Sequence, residues 1–110
     1  MSCKLSEYSL MIAALSVIYA APVNADPAAG RIKAEAACQT CHGMDGVATV
    51  PMAANLSGQQ KLYLIAQLEA YRAGQRQHEQ MSIIAQMLSD EDIENVSEWY
   101  ANIKITIEAP

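Results

Sequence analysis

Phenylalanine is absent from this chain, tryptophan occurs once and cysteine three times. So few aromatic side chains leave a small domain with little bulk for its centre. That shortage fits either an ordinary helical domain with an aliphatic core or one completed by a large aromatic group from outside the chain. Basic residues are also scarce, with seven Lys and Arg against twelve Asp and Glu and a net charge of −5. Nucleic acid is excluded as a partner, because its phosphates require a basic stripe that is missing. Docking to a basic or mainly apolar protein surface is compatible with this charge. There is no internal repeat, low-complexity segment or linker, and the length allows one small domain.

No apolar run is long enough to span a bilayer. Leu10 to Val23 is mostly apolar, but it contains Ser16 and Pro22 and falls short of the ~20 residues a spanning helix needs. With Lys4 ahead of it and the small residues Val23-Asn24-Ala25 behind it, this stretch reads as a signal peptide, residues 1–25, cut after Ala25. The expectation is export to the periplasm, with no membrane span in the mature chain. Removal takes Lys4 and Glu7 together, so the balance stays at 6 − 11 = −5, and 110 − 25 leaves 85 residues. Cys3 also leaves, which removes any third thiol for a structural disulfide.

The two remaining cysteines lie in Cys38-Gln39-Thr40-Cys41-His42. A C-x-x-C pair followed at once by His supplies two thiols for the vinyl groups of a haem and an imidazole for its iron. On a helix, steps of three and four residues bring Cys38, Cys41 and His42 to one face, as a flat macrocycle requires. Two other uses of C-x-x-C fit poorly. A dithiol redox site belongs near a βαβ pattern, which is missing, and a zinc site needs two further ligands where only His42 and His78 are available.

The spacing predicts an Ala-rich helix from Ala28 into the motif, with Gly30 as a point of close helix crossing. Gly43, Gly46 and Pro51 mark an irregular loop around the haem edge. Ser57-Gly58-Gln59-Gln60 has the form of a capping box, and Leu64, Leu68 and Tyr71 then recur at helical spacing to a stop at Gly74. A polar loop leads to a short helix marked by Met81, Ile84, Ala85 and Leu88. A final helix is capped by Ser89 and carries Asp90, Glu91 and Asp92 in its first turn. Its apolar face is Ile93, Val96, Trp99 and Tyr100. Ile103 to Glu108 alternates with a strand period, to be read as a lone strand or as a loosely packed tail.

With His42 as the proximal ligand, the sixth ligand lies among His78, Met44, Met52, Met81 and Met87. Met44 and Met52 are close in sequence to the proximal side, and Met87 sits inside helical periodicity as a core residue. Met81, at a loop-to-helix junction far from the motif, is the favoured choice, with His78 as the competitor. A thioether favours ferrous iron and so a higher potential than a second imidazole.

The stretches CQTCHGMDG from Cys38, NLSGQ from Asn55, YLIAQLEAYRAG from Tyr63 and MSIIAQMLSDEDI from Met81, with Trp99-Tyr100 after them, resemble the monohaem class I cytochromes c of the c553 and c4 type. The resemblance covers nearly all of residues 28–102. It implies an all-α class I cytochrome c fold over residues 26–102, with helices packed around one covalent haem c. It further implies thioether bonds at Cys38 and Cys41, iron ligation by His42 and Met81, and haem contacts from Asn55, Leu56 and Tyr63. Gly30 would meet the last helix near Val96 and Trp99.

The family usually has Pro before its Asn-Leu pair, whose carbonyl accepts from the proximal imidazole; here Ala54 stands there, with Pro51 nearby. The implied function is single-electron transfer between redox proteins, without enzyme activity of its own. An alternative is a cytochrome subunit bound to a flavoprotein dehydrogenase, such as the flavocytochromes that oxidise sulfide. That alternative draws on residues 103–110, an apolar tail that typical small carriers of the family lack and that could pair with a partner's sheet edge. A haem sensor or weak peroxidase is a third reading and would need Met81 to leave the iron.

Overall fold

The computed structural model describes Pro22 and residues 24–110. All but the end of the expected signal peptide, Cys3 included, therefore lies outside the described residues. The rest is all-α, as expected. The helices are α1 (Pro27–Ala37), α2 (Gln39–His42), α3 (Lys61–Arg72), α4 (Met81–Gln86) and α5 (Asp90–Ala101). Among the described residues there is no strand.

Two helix starts follow directly from local chemistry. Asp26 caps α1, its carboxylate accepting from the Ala28 amide at 2.8 Å, with Pro27 opening the helix. Ser89 and Asp92 form a reciprocal capping box at α5, with distances of 3.0 and 3.1 Å. The capping box expected at Ser57 does not form. Gly58 turns through a positive φ of 65°, Ser57 Oγ donates to the Gly46 carbonyl at 3.4 Å, and α3 begins only at Lys61 without a side-chain cap. Ser57 thus ties the haem-edge loop rather than starting a helix.

α1 and α5 cross where Gly30 was expected to permit it. A Cβ on Gly30 would lie 2.0 Å from the Asn95 carbonyl oxygen and 3.0 Å from Trp99 Cβ, so only hydrogen fits there. The Asp26 amide donates to Asn95 Oδ1 at 2.7 Å and satisfies a buried polar side chain. Lys33–Asp92 at 3.1 Å joins the same two helices. Lys61, paired with Glu94 and Glu98 at 3.0 Å each, joins α3 to α5. These exposed pairs add little individually; burial of Ala34, Leu64, Ile93, Val96 and Tyr100 does most of the holding.

Tyr100 links this helical core to the motif, its hydroxyl donating to the Gly43 carbonyl at 3.0 Å in a buried position. Y100F is expected to leave that carbonyl with only the long 3.4 Å bond from the Gly46 amide and to lower stability by ~0.5–1.5 kcal/mol. Burial, with Cys38 and Asp45 adding to it in their charged forms, pushes the Tyr100 hydroxyl above the ordinary tyrosine value. The neutral form is therefore favoured in the fold. Its contribution is fully present below about pH 10, the value in the unfolded chain, and is lost as pH rises towards the folded value. Urea midpoints measured from about pH 8 to about pH 12 should fall more steeply for the wild type than for Y100F.

The Ile-rich tail is neither a strand nor wholly loose. Ile103 packs against the core, and Ile105 lies over Gly58, its Cγ1 3.1 Å from where a Cβ would stand. Ile107 is 84% exposed. With no neighbouring strand among the described residues, strict alternation yields only this partial anchoring. Met87, expected in the core, is also exposed, because it lies at the C-cap of α4 and the next residue, Leu88, takes the buried position.

Candidate functional site

The Ala-rich helix does not run unbroken through the motif. α1 ends at Ala37, Cys38 stands between helices, and α2 is a single turn that places Cys41 and His42 beside Cys38. Gly43 follows with φ 72°. A Cβ there would meet the Val47 carbonyl oxygen at 2.5 Å, so the sharp exit from the motif depends on glycine. The loop beyond is pinned back onto the motif: the Thr49 amide donates to the Cys41 carbonyl at 2.9 Å, and the Ala48 amide to Asn55 Oδ1 at 2.8 Å.

His42 Nδ1 lies 2.7 Å from the Ala54 carbonyl oxygen. A carbonyl only accepts, so Nδ1 carries the proton and Nε2 keeps the free lone pair, the tautomer that iron ligation requires. Ala54 thus supplies the acceptor expected of the position before the Asn-Leu pair, and Pro51 does not replace it. The fixed φ of proline is dispensable because the working atom belongs to the backbone.

Between the motif and helices α3, α4 and α5 lies a cavity of about 650 Å³, within the size range of cofactor sites. Its walls carry Cys38, Cys41 and His42 on one side of the sequence and Met81 on the other, together with Asn55, Leu56 and Tyr63. All seven residues singled out from the sequence therefore border one space. Both cysteines are free. Burial pushes the Cys38 thiol up to about 11 against the opposing charge of Lys33. Such a thiol is protonated at neutral pH and is unsuited to dithiol exchange. Among the described residues no group of three or more His, Cys, Asp or Glu side chains converges on a metal position, so these residues assemble no zinc site of their own.

The remaining candidates for a sixth ligand separate clearly. Met44 packs against the cluster of Ala34, Leu64 and Tyr100, and Met87 faces solvent. Met52 borders the cavity but is 85% exposed. His78 also borders it, yet its Nδ1 accepts from the Gln80 and Met81 amides at 3.2 and 3.3 Å. That bonding puts the proton on Nε2 and leaves neither nitrogen free for iron.

One residue on the cavity wall was not anticipated. Ser97 is buried, borders the cavity, and its hydroxyl has no protein partner. An unpartnered buried hydroxyl beside this space is an unsatisfied polar atom at the edge of the site. Its place four residues after Ile93 on the buried face of α5 was available from periodicity, but a lone serine carries no chemical signature of its own.

A family model described as cytochrome c matches residues 28–104. Cytochrome c-554(548) of Halomonas halodenitrificans is 42% identical over 80 residues, which is 70% of this chain and 95% of that protein. The solved structure of reduced recombinant cytochrome c4 from Pseudomonas stutzeri superposes with a TM-score of 0.67 at 31% identity. It covers 74% of this chain and 47% of that one. The thiosulfate dehydrogenase of Marichromatium purpuratum superposes with a TM-score of 0.68 at 37% identity, over 77% of this chain and 20% of that one. The chain thus spans nearly all of the first protein and less than half of the other two.

Proposed function

The chain belongs to the cytochrome c family and its cofactor is a covalently bound haem c; from this we propose that it is a periplasmic single-electron carrier whose iron is ligated by His42 and Met81. When bound, haem c supplies reversible one-electron chemistry at its iron. Cys38 and Cys41 hold it through thioether bonds, and residues 26–102 form the working domain once residues 1–25 are removed on export. His42 offers Nε2, oriented by the Ala54 carbonyl through Nδ1. Met81 offers a soft thioether from the first position of α4, which favours the ferrous state. Leu56, Leu64, Leu68, Ile84 and Val96 on the cavity wall exclude water and keep the surrounding dielectric low, which disfavours the more highly charged ferric iron and so also raises the potential.

The observation that carries this reading is the His42 tautomer in a cavity shared with Met81. With His42 and Met81 both holding the iron, no position would be left for a substrate, and electron exchange would be the only chemistry. A second reading is favoured by the likeness to thiosulfate dehydrogenase: the chain serves as the electron-accepting cytochrome subunit of a dehydrogenase, with the tail at residues 103–110 as a contact. One purification distinguishes them. Isolated from its native source, a free carrier is monodisperse, carries haem alone, and in the ferrous state does not bind carbon monoxide. Co-elution of a second protein with flavin or further haem indicates the subunit, and ready carbon monoxide binding by the lone chain would overturn both.

A further inference from the structure

We propose that His78 is a positioning residue for Met81, its imidazole closing the N-terminus of α4 and so fixing where the thioether stands. The inference rests on Met81 as the sixth ligand. α4 has six residues, too few to be stable as an isolated helix, and its first amides have no partner within it. Gln80, at the cap position, makes no side-chain capping bond. The service comes from two residues earlier, where His78 Nδ1 accepts from both the Gln80 and the Met81 amides.

The arrangement is reciprocal. The His78 amide donates to Ser82 Oγ at 3.0 Å, and the Ser82 amide donates to the His78 carbonyl at 3.0 Å. Residues 78–82 therefore close on themselves in the manner of a capping box, with an imidazole in place of the usual hydroxyl or carboxylate. The ring also has an external reference. It stands edge-on to Tyr71 on α3, with ring centroids 6.5 Å apart at 75°, and Tyr71 is in turn covered by the Arg76 guanidinium at 4.7 Å. Tyr71 is buried within α3, so the Met81 amide is held, through His78, against a buried side chain of a neighbouring helix. The residue that competes with Met81 for the iron in the sequence thus serves Met81 in the fold.

The test uses ferric holoprotein and imidazole as a competing ligand, following the weak red absorption band of thioether-ligated ferric haem. H78L removes the acceptor, whereas H78N retains one near the same place. Loss of a helix cap is expected to make the thioether about five- to tenfold easier to displace in H78L, while H78N stays within about twofold of the wild type. A lower reduction potential should accompany the loss in H78L alone. Equal displacement in H78L and the wild type overturns the inference, as does equal weakening in H78N and H78L. Should H78L accumulate without haem, S82A decides, because it removes the reciprocal bond: easier displacement supports the inference and unchanged displacement overturns it. A wild-type protein lacking the red band would instead overturn Met81 as the ligand.

Discussion

M81A is expected to lower the reduction potential by an amount on the order of hundreds of millivolts, within the ~0.8 V over which axial ligands tune haem iron. The thioether is the softer of the two proposed ligands and its removal withdraws the stabilisation of ferrous iron. The vacated position should bind carbon monoxide in the ferrous state. Among the described residues the other candidates are poorly placed to fill it: Met44 packs against the core, Met52 is largely exposed and His78 Nδ1 accepts from two backbone amides. The fold should survive, since Ala is a better helix former than Met and Met81 is only half-buried. Potentiometry with a carbon monoxide titration checks this, and an unchanged potential and spectrum would remove Met81 from the iron.

G30A should unfold at a markedly lower temperature than the wild type. In an exposed helix the same change would stabilise by up to ~1 kcal/mol through propensity alone. Here the new Cβ would sit 2.0 Å from the Asn95 carbonyl oxygen and 2.6 Å from its carbon. Those are backbone atoms, which can yield only if α5 moves. Such movement would also stretch the 2.7 Å bond between the Asp26 amide and Asn95 and loosen Trp99. Overpacking of this kind costs ~1–3 kcal/mol or more; a net loss of ~2 kcal/mol lowers Tm by roughly 8–16 °C in a domain of this size. Calorimetry of the two holoproteins decides the sign, and a G30A variant at or above the wild-type Tm would contradict the crossing geometry.

Much of the helical layout was legible because its signals are local. Ser89 with Asp92, the positive-φ glycine at Gly74 and the apolar spacing of α5 each specify their element from a few neighbouring residues. The haem-binding set was legible because its chemistry is dense: two thiols and an imidazole within five positions have few other uses. Two of the misreadings arose where a residue's partner lies well away along the chain, and two are local. Ser57 resembles a cap until Gly46 occupies it. The alternation from Ile103 resembles a strand until the fold offers Gly58 in place of a neighbouring strand. Met87 fits a helical period that stops one residue too soon, and the imidazole of His78 closes a helix from a position that no short-range capping rule assigns to it.

The crossing of α1 and α5 has a consequence for how the chain comes together. Gly30 and Asn95 are 95 − 30 = 65 residues apart, so their meeting closes a long loop, and the entropy of that closure must be met before any contact between the two helices offsets it. Nearly all of the cavity wall, from Ala37 to Leu88, lies inside the loop. Any ligand that draws this wall together shortens the effective span between the terminal helices. A molecule bound mostly by the middle of the chain thereby favours the docking of its two ends.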